Sequence, residues 1–146
     1  MLHMAIGMSS KAHARIAKLD LDNVLVAPGV VEVYTADDIP GVNNCGPIVH
    51  DEKIFNSELV EYAGQAIFSV AAETVDQARK AARRAVIDYA ELEPVLDPIT
   101  AVEKQSFVLP TERLSRGDAA RALENSPHRV SRQLHVGGQD QFYLEG

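Results

Sequence analysis

The sequence lacks the features that mark several large classes of protein. It has 146 residues and one cysteine, Cys45, so it forms no internal disulfide and no cysteine-based zinc or iron–sulfur site fits it. A single free thiol is compatible with a reducing compartment. Basic residues are outnumbered by acidic ones, and the net charge of -7 leaves no general basic field that would hold nucleic acid.

Long apolar runs and familiar catalytic signatures are missing as well. No apolar run is long enough to span a bilayer, and residues 1–7 lack the basic region and extended apolar core of a signal peptide. We therefore expect a cytoplasmic protein with no membrane partner. The sequence has no Gly-x-Ser-x-Gly elbow and no glycine-rich phosphate loop, and its five histidines are scattered without the spacing of a metal motif.

The patterns that are present predict an α+β fold with a small mixed sheet packed against helices. Alternating or β-branched residues predict strands over residues 2–8, 14–19, 30–35, 62–72 and 86–90. Residues 62–72 are apolar on nearly both faces, as a central strand would be. Thr74 and Gln77 then have the spacing of a capping box and predict the start of a helix.

This helix has one apolar and one basic face. Its apolar stripe is formed by small or branched side chains at helical spacing, namely Val75, Ala78, Ala81, Ala82 and Ala85. The basic residues Arg79, Lys80, Arg83 and Arg84 are predicted to face away from the sheet. A solvated helix face explains them, and phosphate or partner binding is the alternative. The loop over residues 41–56 is interpreted as a surface crossing, and a partner contact is the alternative.

Two acidic residues near the end of a predicted strand are candidates for a catalytic pair. Glu91 and Glu93 lie two residues apart near the end of a strand and could share a face. A solvated strand edge explains such a pair, and acid–base chemistry is the alternative.

The remainder of the chain is punctuated by proline and leads to a diglycine. Residues 98–127 are predicted to be a linker with a short helix that Asp118 caps. The alternation over Arg129–Val136 predicts a strand that leads to Gly137-Gly138-Gln139. Two glycines allow close approach of the backbone to another group, and the neutral amide of Gln139 both donates and accepts hydrogen bonds. Gln139 is either a polar residue after a turn or a residue that reaches a ligand oxygen.

Several short runs, in order and spacing, resemble the molybdenum-binding subunits of the xanthine oxidase and aldehyde oxidase family, and within it those of the xanthine dehydrogenases. The runs that carry the resemblance are Lys11-Ala12-His13-Ala14-Arg15-Ile16, Pro28-Gly29-Val30-Val31-Glu32-Val33, Tyr62-Ala63-Gly64-Gln65, Asp88-Tyr89-Ala90-Glu91-Leu92-Glu93-Pro94 and Gly137-Gly138-Gln139-Asp140 with Phe142-Tyr143-Leu144-Glu145. The resemblance extends from one end of the sequence to the other.

The resemblance implies an α/β hammerhead domain over residues 1–97, a linker with a short helix over 98–127 and the start of a molybdopterin-binding domain over 128–146. Enzymes of this family hydroxylate a purine or an aldehyde with water as the oxygen source, on a molybdenum–pterin cofactor. Their electrons pass through iron–sulfur clusters to FAD and NAD. The resemblance gives Gln139, beside Gly138 in the cofactor-binding motif, a hydrogen bond to an oxygen on molybdenum, a supporting role and not that of a metal ligand.

The resemblance also implies the partners: the rest of the molybdenum subunit, an iron–sulfur and FAD subunit and a purine substrate. Gln141 stands where the family usually has histidine. The family's base glutamate and substrate-holding residues come later than Gly146, so we expect the 146-residue chain alone to be inactive. The alternatives are a subunit of an aldehyde oxidase or another molybdenum hydroxylase, and a non-catalytic assembly module. Uncovered strand edges also predict self-association into a homo-oligomer.

Overall fold

The computed structural model describes residues 1–138. Within them the chain forms two compact units, Met1–Ser106 and a second one that begins at Phe107. The elements of the first unit are β1 (His3–Met8), β2 (Ala14–Asp20), α1 (Asp22–Leu25), β3 (Val30–Tyr34), a 3₁₀ turn (Ala36–Asp38), β4 (Leu59–Val60), β5 (Ala66–Ala72), α2 (Val75–Ala82), β6 (Val86–Glu91) and α3 (Pro98–Glu103). The second unit contains α4 (Ala119–Glu124).

The strands of the first unit form two antiparallel sheets. One sheet has the order β1-β5-β3 and the other the order β4-β2-β6. The predicted mixed sheet is therefore corrected to two sheets without a parallel pair among the described strands. The chain alternates between the sheets, since β5 and β6 flank α2 but pair with strands from the first quarter of the sequence. This pairing at long sequence separation completes the α+β hammerhead arrangement that the sequence predicts.

The predicted central strand is confirmed. β5 lies between β1 and β3, and six of its seven residues are buried. Gly7 is opposite Phe68 and Ala5 opposite Val70, so these side-chain positions share one face of the sheet. The Phe68 ring covers the position where Gly7 would carry a Cβ. β5 is thus the strand on which both neighbours and α2 pack.

Helix α2 begins at the predicted cap. Thr74 Oγ1 accepts a hydrogen bond from the Gln77 backbone N–H at 3.2 Å and donates to Gln77 Oε1 at 2.9 Å. Ala78 and Ala81 are buried against β1 and β5, while Val75 is 42% exposed at the first turn. The four basic residues are exposed, as predicted. Small side chains on the inner face let the helix lie close to the sheet.

One hydrophobic core holds the first unit together. It brings residues from both sheets, α1 and α2 into one cluster, namely Ala14, Val24, Ala27, Val33, Val60, Ile67, Phe68, Val70 and Ala81. Partly buried side chains of β2 and β6, including Ile16, Ile87 and Tyr89, pack against it. Burial of this apolar surface is the main source of stability of the unit.

The later part of the chain differs from the sequence prediction in two places. Asp97 caps α3 by accepting from the Thr100 N–H at 2.9 Å, with Pro98 at the first helical position, in a stretch predicted to be linker. The predicted cap of α4 is confirmed, because Asp118 accepts from the Arg121 N–H at 3.0 Å.

The predicted strand over Arg129–Val136 is wrong, since these residues form no strand. Alternation alone does not make a strand without a partner that takes its backbone hydrogen bonds.

Candidate functional site

The predicted cofactor motif is described only up to Gly138. Gly137 and Gly138 are exposed and irregular, and a Cβ on either would meet no atom within 4 Å. Neither has the left-handed backbone that is found at Gly29, Gly64 and Gly117. The diglycine therefore provides open space around the backbone and makes no close approach within residues 1–138. Gln139 and Gln141 lie outside the described residues.

Metal-binding chemistry has no counterpart in residues 1–138. No group of three or more histidine, cysteine, aspartate or glutamate side chains is placed there to hold a metal ion. Of the proposed cofactor contacts, only Gly138 falls among the described residues. A helix long and apolar enough to cross a membrane is likewise not found in this part of the chain.

The two glutamates at the end of β6 do not form an acid–base pair. Glu91 contacts the Lys11 ammonium and Glu93 contacts the Lys104 ammonium, each through Oε1 at 2.5 Å. The hydrogen bond from Lys104 lowers the pKa of the Glu93 carboxyl, and the positive charge lowers it further. Both carboxylates are exposed, so the solvated-edge interpretation holds. Lys11 links the last residue of β6 to the turn before β2, and Lys104 links Glu93, just after β6, to the residue after α3.

Hydrogen bonds from amide side chains hold the loop over residues 41–56 in place. Asn43 Nδ2 donates to the Phe55 carbonyl oxygen at 2.8 Å, and Asn43 Oδ1 accepts from the Phe55 N–H at 3.1 Å. Asn56 is buried and donates to the Ala66 carbonyl oxygen at 3.2 Å. Cys45 is exposed within this loop. These bonds hold the loop against the fold and bring no catalytic side chains together.

A concave surface lies between β1 and α2. This surface, called here the β1–α2 groove, has a volume of about 640 Å³ and is lined by Met4, Ala5, Ile6, Gly7, Met8, Val75, Arg79, Ala82 and Arg83. Met4, Ile6 and Met8 are 61%, 50% and 58% exposed. The sequence predicts exposed arginines on this helix but not that two of them lie beside a strand edge. Val75, Arg79 and Arg83 are four residues apart, and this spacing indicates that they share one face of the helix.

Charge in the β1–α2 groove is one-sided. Lys80 on the same helix is paired with Asp76 at 2.7 Å. Arg79 and Arg83 belong to no ion pair with any residue from 1 to 138. The groove therefore presents two guanidinium groups whose donors have no protein carboxylate in the described structure.

A second cavity of about 270 Å³ continues the groove toward β6. It shares Gly7, Met8, Ala82 and Arg83 with the groove, and Tyr89 lines its far side. The Tyr89 hydroxyl is buried and has no hydrogen-bond partner among the described residues. A buried hydroxyl without a partner carries a free-energy cost that a bound polar group would remove.

Comparison with known families places the fold. Residues 1–93 match the family model described as the a/b hammerhead domain of aldehyde oxidase and xanthine dehydrogenase. The match covers more than half of the 146 residues and includes both sheets and α2. The chain belongs to this hammerhead-domain family.

Relatives in sequence extend beyond the hammerhead. The chain is 38% identical over 144 residues to the xanthine dehydrogenase/oxidase of Gallus gallus, and the match covers 99% of this chain and 10% of that protein. It is 42% identical over 145 residues to aldehyde oxidase 2 of Rattus norvegicus, again covering 99% of this chain and 10% of the relative. The chain thus spans about a tenth of the length of these relatives.

Solved structures share the fold. An aldehyde oxidoreductase from Desulfovibrio gigas is 32% identical, with a TM-score of 0.58 over 63% of this chain and 11% of that one. A reconstituted CO dehydrogenase from Oligotropha carboxidovorans is 29% identical, with a TM-score of 0.63 over 68% of this chain and 13% of that one. These similarities confirm the hammerhead fold and an oxidoreductase family.

Proposed function

We propose that this chain is the N-terminal portion of a xanthine dehydrogenase molybdenum subunit, whose whole assembly hydroxylates hypoxanthine or xanthine. The strongest support is the sequence identity of 38% and 39% to two xanthine dehydrogenases. These matches cover 99% of the chain and extend well past residue 93, where the hammerhead match ends. A shared fold alone would not extend through the irregular second unit. The hammerhead would be a structural part, and the chain alone would be inactive.

The assembly would take a molybdenum–pterin cofactor in the rest of the molybdenum subunit, with iron–sulfur and FAD groups on partner domains or subunits that pass electrons to NAD. The name of the Gallus gallus relative includes xanthine dehydrogenase, which supports the purine substrate. In the assembly the hammerhead would add stability and position, since Glu91 and Glu93 are engaged in ion pairs and Asp97 in a helix cap. We propose a cytoplasmic location for the assembly.

Gln139 would support the cofactor from beside Gly138. Its amide would donate a hydrogen bond to an oxygen on the metal, and the open space around Gly137 and Gly138 would let the backbone come close. An amide adds no net charge there, so its effect would be on orientation and on transition-state electrostatics.

An aldehyde oxidase is the second candidate. The identity to aldehyde oxidase 2 of Rattus norvegicus is 42%, slightly above the 38% to the xanthine enzyme of Gallus gallus. We propose that substrate choice lies in the rest of the assembly, where it must be measured.

The test is purification of the holoenzyme that contains this chain through a tag on the chain. We expect bound molybdenum by elemental analysis and faster turnover of xanthine than of benzaldehyde, with reduction of NAD. Preference for benzaldehyde would favour the second candidate. Absence of molybdenum from an intact complex would overturn the proposal.

The Gln139→Ala variant tests the residue assignment in the same holoenzyme. We expect kcat to fall about a hundredfold, as for loss of one oriented donor, with molybdenum content retained. Gln133→Ala is the matched control, because it removes the same amide from an exposed position of the same unit. Equal activity of the two variants would refute the role of Gln139.

A further inference from the structure

We propose that the free edge of β1 binds a strand from a partner polypeptide, and that this strand carries acidic side chains on the α2 side and apolar side chains on the opposite side. The proposal concerns an interaction surface and does not depend on the substrate of the assembly. It rests on the strand edge, the two faces of β1 and the one-sided charge of the β1–α2 groove.

The edge is open. β1 is hydrogen-bonded to β5 only and stands at the end of the order β1-β5-β3. Alternate backbone N–H and C=O groups of its six residues therefore point away from the sheet. Natural edge strands are usually short, covered or charged, but β1 carries no acidic, lysine or arginine side chain and no proline. A strand of this kind is a ready template for β-augmentation.

The two faces of β1 differ in what they offer to an added strand. His3, Ala5 and Gly7 lie on the inner face, which α2 and the Phe68 ring cover. Met4, Ile6 and Met8 lie on the other face and are at least half exposed. Because side chains of a strand alternate between faces, an added strand would place every second residue beside α2 and the others beside these apolar side chains.

The charge of the groove selects the side chains on the α2 side. Arg79 and Arg83 line the groove and have no carboxylate partner within residues 1–138. The buried hydroxyl of Tyr89 in the adjoining cavity is a third polar group without a partner among them. Donors of this type are satisfied by carboxylate oxygens. The bound strand is therefore acidic on this side.

The same charge argues against a second copy of this chain as the occupant of this edge, although uncovered strand edges alone predict self-association. Pairing of β1 with β1 would bring four arginines alongside one pair of strands without adding a carboxylate. Like charges in that position oppose association. A partner of opposite charge gains where a second copy would lose.

The experiment measures binding of a synthetic peptide of alternating glutamate and valine to the full chain, with a lysine–valine peptide of equal length as the control probe. We expect binding of the acidic peptide only, weakened by added salt. Hydrogen exchange should slow at amides of residues 3–8 when the acidic peptide is present, because the added strand takes up their free N–H groups. Equal binding of both peptides, or binding without slower exchange in β1, would overturn the proposal.

Charge reversal tests the arginines. Arg79→Glu and Arg83→Glu should each weaken binding about threefold, and together about tenfold. Arg84→Glu is the matched control, since Arg84 lies near the same helix end but lines a different cavity with Pro28 and Gln77. An equal effect of Arg84→Glu would reduce the result to overall charge and overturn the assignment. Dimerisation of the chain with protection of β1 in the absence of peptide would identify a second copy as the occupant and also overturn it.

Discussion

Substitution of Gly7 by alanine should strongly destabilise this fold, because the added methyl group overlaps a buried ring. An ideal Cβ at Gly7 would lie 2.0 Å from Cε1 and 2.1 Å from Cζ of Phe68. Carbon atoms in contact are normally about 3.5–4 Å apart, so the ring must move by more than an ångström. Phe68 is only 1% exposed and belongs to the core that joins both sheets.

The magnitude follows from the two costs that this movement combines. Overpacking of a core costs about 1–3 kcal/mol, and partial withdrawal of a phenylalanine from its site adds a fraction of the roughly 3–5 kcal/mol that its truncation costs. We therefore expect the free energy of unfolding to fall by about 3 kcal/mol. The total for a domain of this kind is about 5–15 kcal/mol, so the variant should still fold and its stability can be measured.

Urea unfolding of the wild type and the variant measures the difference, with the m-value unchanged if the transition is two-state. Gly41→Ala is the matched control, because its Cβ would meet no atom within 4 Å and its backbone is not left-handed. The control should lie within about 0.5 kcal/mol of the wild type.

A double-mutant cycle separates the contact from a general effect on β1. Phe68→Leu removes the ring from the space above Gly7, so Gly7→Ala should cost at least about 1 kcal/mol less in that background. A cost of Gly7→Ala below about 0.5 kcal/mol, or strictly additive effects in the cycle, would refute the packing argument.

Two further predictions concern capping. Thr74→Ala should lower the free energy of unfolding by about 1 kcal/mol in urea, because it removes the acceptor for the Gln77 N–H, whereas Thr74→Ser should retain it. Hydrogen bonds from the Thr35 N–H at 2.7 Å and the Thr35 hydroxyl at 2.9 Å lower the pKa of the Asp38 carboxyl. This contribution to stability is present above the unfolded-state pKa and is lost as pH falls through the lowered native pKa. The Asp38→Asn variant lacks the contribution, so its Tm should drop less between neutral pH and about pH 3 than the Tm of the wild type. An equal drop in Tm would contradict this prediction.

The elements that the sequence predicts well are those fixed by local chemistry. The cap at Thr74, the cap at Asp118 and the apolar run of β5 depend on residues a few positions apart, and all three are confirmed. The division into two sheets depends instead on which strands pair, as between β1 and β5 across more than fifty residues. No local pattern distinguishes one twisted mixed sheet from two antiparallel ones.

The errors have physical causes as well. Asp97-Pro98 suggested a linker, although aspartate as a cap with proline at the first helical position is also a helix start. The alternation over Arg129–Val136 satisfies only the side-chain requirement of a strand. The motif at Gln139 came from family resemblance, because an amide after two glycines has no chemistry that spacing alone identifies. It stays a prediction.

The described structure shows which polar groups of the hammerhead have no protein partner among residues 1–138. Most of its buried polar side chains and its exposed carboxylates at the strand ends have local partners, as Asn56, Glu91 and Glu93 show. Arg79 and Arg83 have none among residues 1–138 and lie together along a strand whose outer edge is open. Exposed guanidinium groups beside free backbone groups exchange hydrogen bonds to water for hydrogen bonds to protein when another chain approaches. A domain that supplies no metal ligands within its described residues can therefore still contribute to an enzyme by fixing the position of a neighbouring polypeptide.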